Sequence, residues 1–395
     1  MNILADPKNP KLMIVGGHMT PAFAVVDQLN KEGYYNIVWV GHAHSSIGDK
    51  NFSAEYKVAT SRNIRFIDLK TGKLFRVWNY NTFSAAFKSL IDIPMGIFRA
   101  FKIIRTERPQ MVIAFGGYLA VPIALAAYFY KIPITTHEQT IVTGLANRIV
   151  AKFASKVFTS WKENEKYFDK NKIVFTGNPI RLSVFVSHSS NINFYNNLPV
   201  LYVTGGNQGS HMINEIITKL LPNLLNEFNV IHQTGNSSVT HDYERSVAFK
   251  ANLSDMQSER YIVKDFFTEL EIGEVLKKSS IVISRSGLNS CVEFMALNKS
   301  CILIPIANTS GNEQEKNANH LEKIGLAKML PEKSITPEIL NKAIYDLLEQ
   351  RRKGLNTKGE LWNQTLVQTR MYIKKDAAER IVGETLKLLN ITDVN

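Results

Sequence analysis

The chain has 395 residues, of which 45% are hydrophobic and 21% charged, and its formal net charge is +12. This composition excludes a disordered chain, and the length predicts two or three domains of a soluble globular protein. The positive charge favours an anionic partner, which can be a phosphorylated substrate, an acidic membrane surface or a nucleic acid. Because the basic residues are scattered and no DNA- or RNA-binding motif is found, a nucleic acid is the least favoured.

The sequence carries no sign of export or of a disulfide framework. Cys291 and Cys301 lie in predicted core elements without metal-ligand spacing, so we interpret them as buried thiols in a reducing compartment. Residues 1–15 lack the layout of a signal peptide. The nearly apolar run at 118–130 contains a proline and is too short to cross a bilayer. We therefore expect a cytoplasmic protein.

The first half of the chain alternates short apolar strands with helices. Strands are predicted at 12–15, 37–40, 64–69, 111–115, 132–136, 157–159 and 173–175. Strands that are apolar throughout are typical of a parallel sheet covered on both faces. Loops at 16–20, 116–118 and 137–140 should therefore open on one edge of that sheet, where ligands of such sheets bind.

The first of these loops begins with Gly16, Gly17 and His18. The glycines let a ligand approach the backbone closely, and a histidine at a strand end can do acid–base chemistry. The alternative is that His18 bonds only its own loop. Thr20 is predicted to cap the helix that follows, and Pro21 to be its first residue.

The loop at 137–140 carries His137 and Glu138. Both are residue types that hold or deprotonate a sugar hydroxyl. The stretch 144–148 then begins another helix.

Residues 70–105 mix basic and aromatic side chains. Such a mixture suits an anionic membrane surface, but it also suits a helix whose aromatics lie in the core and whose basic groups are solvated. We interpret residues 70–88 as a membrane contact and residues 91–105 as a helix packed on the sheet.

A second α/β series begins at Pro199, after a polar, aperiodic segment at 187–197 that is predicted to be a linker. Its strands are predicted at 200–204, 229–232, 261–263, 281–283 and 301–306, and further helices at 335–349 and 371–390. A glycine-rich loop at 205–210 leads into a helix, so its amides can cradle phosphate oxygens. The loop is not a P-loop, because the GxxxxGK[ST] spacing is absent.

The stretch 281–318 predicts a nucleotide-sugar site. A strand ends at Ser286-Gly287, and a helix at 288–297 begins with Asn289 or Ser290 as its cap. The helix N-terminus suits a diphosphate. Glu293, one turn further, can accept hydrogen bonds from a ribose diol.

A second helix, predicted from about residue 313, brings Gln314 and Asn317, whose amides can bond several hydroxyls. Phosphate, diol and polyol binding together describe a nucleotide-sugar. The alternative is an ordinary α/β unit in which Glu293 is a solvated helix residue.

Seven stretches, in order and at matching spacing, resemble the MurG family. They are GGHMTPAFAV (16–25), FGGYLAVP (115–122), HEQTIVTGLANR (137–148), TGNPIR (176–181), TGGNQGSHMINE (204–215), ISRSGLNSCVE (283–293) and EQEKNA (313–318). These enzymes are the peripheral membrane N-acetylglucosaminyltransferases of peptidoglycan synthesis, which are GT-B glycosyltransferases.

The resemblance implies an α/β fold with two Rossmann-like domains facing across a cleft and a C-terminal helix that packs back on the first domain. We expect an acceptor domain at 1–186, a linker at 187–198, a donor domain at 199–368 and the returning helix at 369–395.

The resemblance also implies an inverting transfer of N-acetylglucosamine from UDP-N-acetylglucosamine to undecaprenyl-diphosphate-MurNAc-pentapeptide. It implies no cofactor, no tightly bound metal and no nucleic-acid partner. It also implies a peripheral membrane protein on the cytoplasmic face of the anionic cell membrane. The alternatives are a GT-B enzyme with another acceptor, a UDP-sugar epimerase of the same fold, and a non-catalytic nucleotide-sugar binder.

The site residues carried over from the family fall into three groups. The candidate bases are His18 and Glu138. The acceptor side would comprise Gly16, Gly17, Tyr118, Gln139 and Asn147. The donor side would comprise Arg181, Gly206, Asn207, Gln208, Gly209, Phe266, Phe267, Ser286, Gly287, Leu288, Asn289, Glu293, Glu313, Gln314 and Asn317.

The sequence departs from the family pattern in four places. The first glycine loop is shorter, with Met13–Val15 where the family has more glycines, and Thr140 replaces an asparagine. Both departures bear on the acceptor diphosphate. Asn207 stands where serine is usual at the donor diphosphate. Glu313 stands where glutamine is usual beside the sugar, and a carboxylate only accepts hydrogen bonds.

Overall fold

The computed structural model describes residues 9–34, 36–44, 52–72, 83–185, 192–206, 208–307, 312–357, 364–367, 369 and 372–390. The chain forms two compact units, Met1–Pro179 with Lys374–Asn395, and Ile180–Ile373. Residues 180–185 lie with the second unit, whereas the predicted first domain extends to 186. The reason is local packing, since Lys277 Nζ donates to the carbonyl of Phe185 at 2.9 Å.

The first unit is built on parallel strands separated by helices. The strands are β1 Leu12–Val15, β2 Ile37–Gly41, β3 Arg65–Asp68, β4 Met111–Ala114, β5 Ile134–Glu138, β6 Lys156–Thr159 and β7 Ile173–Phe175. The helices are α1 Met19–Lys31, α2 Ala54–Ser61, α3 Phe83–Glu107, α4 Ala120–Phe129 and α5 Leu145–Phe153, with a 3₁₀ helix at Lys162–Tyr167. The sheet has seven strands in the order β3-β2-β1-β4-β5-β6-β7.

The second unit repeats this plan. Its strands are β8 Val200–Thr204, β9 Asn229–Gln233, β10 Tyr261–Lys264, β11 Ile281–Ser284, β12 Ser300–Leu303 and β13 Ala327–Met329. Its helices are α6 His211–Glu227, α7 Asp242–Ala251, α8 Asp255–Glu259, α9 Glu269–Lys278, α10 Leu288–Ala296, α11 Glu313–Lys323 and α12 Pro337–Thr357, with 3₁₀ helices at Leu182–Val184 and Glu332–Ser334. The six strands lie in the order β10-β9-β8-β11-β12-β13.

The inner strands are buried on both faces, which is why their sequences are continuously apolar. Every residue of β1, β4 and β11 is buried. β1 pairs in parallel with β2 and β4, and β8 with β9 and β11. Every predicted strand is found, but β5 continues through His137 and Glu138, β12 ends at Leu303 and not at 306, and β13 was not predicted. The buried thiols of Cys291 and Cys301 are confirmed.

Both sheets have the doubly wound strand order. In each, the chain order reverses beside the first strand, between β1 and β4 and between β8 and β11. Loops at the carboxyl ends of these strands leave a crevice, where ligands of this architecture bind. The C-terminal helix α13, Ala377–Lys387, packs on α1, and its Ile381 and Val382 join the first unit's core. The predicted returning helix is therefore confirmed.

The cap predictions were wrong at two helices. α1 begins at Met19, so Thr20 and Pro21 lie inside it, after an N-cap formed by His18 without a side-chain cap bond. α10 begins at Leu288, because the extended backbone of Gly287 (φ −61°, ψ 140°) makes this residue the N-cap. Asn289, which was a predicted cap, is therefore helical.

Of the segment at 70–88, which we interpreted as a membrane contact, residues 73–82 lie outside the described residues and residues 83–88 belong to α3. Residues 92–105 belong to α3, as predicted, and the side chains of Ala100 and Ile104 are buried in the core. Within the described part of the chain, no helix combines the length and apolar character that crossing a membrane requires.

Candidate active site

The first glycine loop packs directly on the loop that follows β4. A Cβ atom on Gly17 would lie 2.3 Å from the carbonyl oxygen of Gly116, so only glycine allows this approach. Gly116 and Gly117 have φ values of +78° and +76°, a region that favours glycine. The structure thus brings Gly16 and Gly17, both predicted acceptor residues, to the β1/β4 crevice.

His18 is held at this crevice by one ring nitrogen. Its Nδ1 lies 2.8 Å from the carbonyl oxygen of Phe115. A carbonyl only accepts, so Nδ1 carries the proton and Nε2 of the neutral ring keeps its lone pair. No hydrogen bond to Nε2 is found among the described residues. The imidazole is therefore oriented to accept a proton.

Glu138, the other candidate base, is placed quite differently. It is the last residue of β5, not part of a loop, and only 1% of it is exposed. Its carboxylate accepts hydrogen bonds from the amide and hydroxyl of Thr140 at 2.9 and 2.6 Å. It also accepts from the Gly144 amide at 3.1 Å and from Asn147 Nδ2 at 3.0 Å. These bonds make Glu138 the centre of the 138–144 loop.

Asn147 and Gln139 are buried in the same region. Asn147 also accepts from the Thr136 hydroxyl at 3.0 Å and donates to the carbonyl of His137 at 3.1 Å. The carbonyl of Gln139 accepts from the Trp161 indole at 2.8 Å, while its side-chain oxygen has no partner among the described residues. The structure therefore joins Glu138, at the end of β5, to Asn147 in α5, and places Gln139 directly after Glu138.

His137 points into the interior of the first unit and is 1% exposed. Its Nε2 lies 3.0 Å from the hydroxyl of Ser160. Burial lowers the pKa of His137 to about 3, against an opposing hydrogen bond to the backbone of Gly177. The ring is therefore neutral, and our interpretation of it as a sugar-binding or basic side chain finds no support in its position.

In the second unit, the glycine loop after β8 uses several of its own amides internally. The Gly206 amide donates to the Thr204 hydroxyl at 3.0 Å, and the Gly209 amide to the Gly206 carbonyl at 3.1 Å. A Cβ atom on Gly209, whose φ is +78°, would lie 1.9 Å from the carbonyl oxygen of Thr234. Gln208 is exposed, and Asn207 lies outside the described residues.

The helices that follow β8 and β11 begin without side-chain caps. Ser210 is the N-cap of α6, but its hydroxyl accepts a bond from Arg285 at 2.8 Å instead of capping the helix. Gly287 at the N-cap of α10 has no side chain to offer. Among the described residues, neither N-cap side chain bonds the first-turn N–H groups of its helix, which favours an anion at each N-terminus.

Glu293 forms a buried ion pair with Arg181. Its Oε1 lies 2.6 Å from Arg181 Nε, and the two side chains are 4% and 20% exposed. Both residues were predicted on the donor side, and both belong to the second unit. The alternative of a solvated Glu293 is therefore wrong.

The loops after β11 and β12 are tied to α11. The Ser286 hydroxyl donates to the Gln314 carbonyl at 2.8 Å, and Asn317 Nδ2 donates to the Ser286 carbonyl at 3.1 Å. The Gln314 side-chain oxygen accepts from the Ile306 amide at 3.0 Å. Glu313 is the first residue of α11.

Two other groups of predicted donor residues lie at this edge. Leu288 is buried at the start of α10, and Asn289 follows it with a buried side-chain oxygen that has no partner among the described residues. Phe266, after β10, is 44% exposed, whereas Phe267 is 2% exposed and its amide donates to Gln233 Oε1 at 3.3 Å.

Sequence reasoning missed an ion pair that joins these loops. Arg285 donates to Glu332 Oε1 at 2.5 Å and to the carbonyl of Ile304 at 3.1 Å, in addition to Ser210. Burial raises the pKa of Glu332, but the hydrogen bonds from Arg285 and from the Ala307 amide, together with the charge of Arg285, outweigh burial and the pKa is lowered. The position of Arg285, directly after a strand at the ligand edge, could have indicated a site residue. Glu332 is distant in sequence, and nothing near it indicated the pairing.

A search for metal-binding groups of three or more His, Cys, Asp or Glu side chains finds none in the described part of the chain.

Comparison with known families and proteins agrees with this architecture. Residues 15–159 match the glycosyltransferase family 28 N-terminal domain, and residues 200–371 match its C-terminal domain. A relative from Clostridium perfringens is named UDP-N-acetylglucosamine--N-acetylmuramyl-(pentapeptide) pyrophosphoryl-undecaprenol N-acetylglucosamine transferase. It is 33% identical over 359 residues, which cover 89% of this chain and 93% of the relative.

Solved structures share the fold. MurG from Acinetobacter baumannii superposes with a TM-score of 0.63 at 23% identity, covering 96% of this chain and 100% of that one. A putative UDP-N-acetylglucosamine 2-epimerase from Listeria monocytogenes gives a TM-score of 0.63 at 16% identity, with 98% of each chain covered. The fold alone therefore does not separate transferases from epimerases. The family domains and the 33% identity over nearly the whole relative do, and the chain belongs to the MurG family of glycosyltransferase family 28.

Proposed function

We propose that this protein transfers N-acetylglucosamine from UDP-N-acetylglucosamine to undecaprenyl-diphosphate-MurNAc-pentapeptide, the step that converts lipid I to lipid II in peptidoglycan synthesis. The observation that carries this proposal is the 33% identity, over 93% of its length, to a relative named for this transfer. Loops on both doubly wound sheets support it, because one unit can take the donor and the other the acceptor.

In the proposed reaction, the acceptor hydroxyl attacks C1 of the sugar in a single displacement with inversion, and UDP departs. His18 is the general base, because its Nδ1 is held by the Phe115 carbonyl and its Nε2 lone pair is available. Glu138 does not take this role, since its two carboxylate oxygens are occupied by the loop that it organises. We assign Glu138 and Asn147 to positioning that loop on the acceptor side.

The departing diphosphate is stabilised by the second unit. The uncapped N-termini of α6 and α10 present N–H groups and the positive ends of helix dipoles. Glu293, oriented by Arg181, accepts hydrogen bonds from the ribose hydroxyls. The exposed ring of Phe266 borders the uracil, and the Gln314 and Asn317 segment faces the sugar. No step in this scheme requires a cofactor.

We also propose that the first unit binds the cytoplasmic face of the anionic cell membrane. Large apolar side chains are exposed on α3 and at the end of α4, with Phe98 69% exposed and Phe129 70% exposed. The ring of Phe129 lies 5.4 Å from that of Phe101, so the two helices form one surface. Exposed basic residues accompany this surface: Arg99, Lys102 and Lys131. Aromatic and basic groups together suit an anionic bilayer.

Vesicle sedimentation tests the membrane proposal. The wild type should bind vesicles with anionic lipids and bind zwitterionic vesicles more weakly. The double substitution Phe98→Ser with Phe129→Ser should reduce binding at least tenfold, because it removes two exposed aromatic rings. Equal binding by the variant would contradict the assignment of this surface.

The transfer proposal is tested by UDP release from UDP-N-acetylglucosamine, with and without the undecaprenyl-linked acceptor. We expect release that requires the lipid and yields a disaccharide-lipid product. Release without lipid would instead indicate hydrolysis or epimerisation, and UDP binding without release would indicate another sugar or acceptor.

A further inference from the structure

The side chains of His42 and Tyr118 contact each other across the first glycine loop. β2 and β4 flank β1 on either side, and His42 directly follows β2 while Tyr118 follows the glycine pair after β4. Their side chains are joined, with His42 Nε2 2.5 Å from the Tyr118 hydroxyl and ring centroids 5.4 Å apart. This bond links the two loops that border Gly16–His18.

The backbone of His42 is anchored by neighbouring elements. Its carbonyl accepts from the Ser53 hydroxyl at 2.6 Å, and its amide donates to Glu55 Oε2 at 3.5 Å. Asp68, at the end of β3, accepts from the amide of Ala43 at 3.0 Å. The charged and titratable groups that face His42 are thus Glu55 from α2, Asp68 from β3 and Tyr118. These bonds fix the backbone of His42, and the bond to Tyr118 fixes its ring, before any ligand arrives.

The direction of the hydrogen bond follows from acid strength. Burial lowers the pKa of His42, although Asp68 opposes the shift, and burial raises the pKa of Tyr118. A neutral imidazole therefore faces a neutral phenol. The phenol is the stronger acid, so its O–H donates to Nε2. The Tyr118 oxygen keeps its lone pairs for another donor.

We propose that His42 is a positioning residue of the acceptor site, which holds the Tyr118 hydroxyl so that its oxygen accepts a hydrogen bond from an N–H or O–H group of the lipid-linked acceptor. This inference rests on the proposed function and adds a residue to it. His42 acts through Tyr118 and not on the donor, whose residues lie in the second unit.

A double-mutant cycle tests the inference. His42→Phe and Tyr118→Phe should each raise the acceptor KM about tenfold, the effect of losing one hydrogen bond in a desolvated site. The double variant should be no worse than the worse single variant, because both substitutions remove the same interaction. The donor KM should stay at the wild-type value in all of them. His42→Gln, which retains an acceptor oxygen, should recover most of the loss.

The matched control is His44→Phe, since His44 stacks on Phe52 with ring centroids 5.3 Å apart and lies two positions along the same loop. It should leave the acceptor KM unchanged.

Protonation turns His42 into a donor, so the wild-type acceptor KM should rise at acid pH toward that of His42→Phe, whose own KM should change less. Additive effects, or a parallel change in donor KM, would overturn the proposal.

Whether the proposed function fails is measured on the wild type, separately from the variants. A wild type that forms no disaccharide-lipid contradicts the transfer activity, whatever the variants do. The His42–Tyr118 coupling is then measured from thermal unfolding of the same four proteins. Non-additive losses in Tm are expected, and additive losses would overturn the coupling.

Discussion

The loops at the carboxyl edges of the two sheets are held together by different chemistry, although the strand order is the same. In the first unit, neutral donors converge on the single carboxylate of Glu138 at 2.6–3.1 Å. In the second unit, guanidinium–carboxylate pairs join the loops, Arg181 with Glu293 and Arg285 with Glu332. The fold thus sets where the loops lie, whereas the polar side chains set what each edge can bind.

The difference fits the ligands that we propose for the two edges. Charge-assisted bonds to arginine are stronger and geometrically stricter than neutral ones, which suits a rigid frame for an anionic nucleotide. A loop held by neutral donors keeps its shape without a competing cation beside the reacting hydroxyl. His18, with one ring nitrogen held and the other available, is then the group that we propose as the reactive one in the first unit.

Removing that reactive group should give the largest effect. His18→Gln should lower kcat by about 10²–10⁴-fold, the contribution of a general base, and leave UDP binding unchanged. The measurement is the initial rate of disaccharide-lipid formation at saturating substrates. A variant with full transfer activity would remove His18 as the base.

Breaking the ion pair of the second unit should come next. Glu293→Gln removes the charge from a side chain that is 4% exposed and leaves Arg181 without its carboxylate. We expect UDP-N-acetylglucosamine to bind about 10- to 100-fold more weakly, as measured by titration calorimetry. The control is Glu349→Gln, which breaks an exposed ion pair with Lys353 and should change nothing, because exposed pairs contribute little. Equal affinities for all three proteins would contradict the donor assignment.

The sequence was sufficient to predict every strand of the two sheets except β13, and to propose the edge at which ligands bind. Apolar runs such as Leu12–Val15 and Ile281–Ser284 are strands because both faces are covered, and that burial is visible in composition alone. Because all carboxyl ends of parallel strands share one edge, the loops after them could be placed together without coordinates. Residue types such as His18 and Glu293 then indicated the chemistry.

The pairings within the site could not be predicted in the same way. Tyr118 bonds His42 and Arg285 bonds Glu332 across long stretches of chain, and no local pattern encodes such partners. The helix starts were missed for a related reason. At α1 the predicted cap Thr20 is helical, because His18, whose amide and ring both bond the Phe115 carbonyl, takes the N-cap position, so tertiary contacts overrode local preference.

A smaller effect is expected at the centre of the first unit's loop. In Glu138→Gln, an NH₂ group would face N–H donors of Thr140, Gly144 or Asn147. The variant should unfold about 1–3 kcal/mol more easily and lose several-fold in kcat/KM for the acceptor. The pH–rate profile should keep its shape, since His18, the proposed base, is unchanged in this variant. Loss of one limb of the profile would instead make Glu138 the base; Glu163→Gln, at an exposed position, is the control.

The effect that is smallest near neutral pH concerns acid stability, where the two units are alike. Each holds a neutral buried histidine, His137 in the first and His232 in the second, and burial lowers their pKa values to about 3 and about 4. His232 bonds Tyr261 at 2.9 Å and Asn214 at 3.0 Å. As pH falls below about 6.5, each of these histidines becomes protonated in the unfolded chain but stays neutral in the folded protein. The free energy of unfolding therefore decreases between pH 6.5 and about 4, by about 1.4 kcal/mol per pH unit for each histidine.

Calorimetry at pH 7, 6 and 5 measures this loss as a fall in Tm. His232→Gln should lower the Tm of the second unit at pH 7, because it disrupts the bonds to Tyr261 and Asn214, but should flatten its dependence on pH. The first unit retains His137 and should keep the wild-type slope. His241→Gln is the control, since the side chain of His241 is 61% exposed. If the Tm of the second unit depends on pH as steeply in His232→Gln as in the wild type, its acid sensitivity arises from another group. The two units would then share their strand order but not the source of their acid sensitivity.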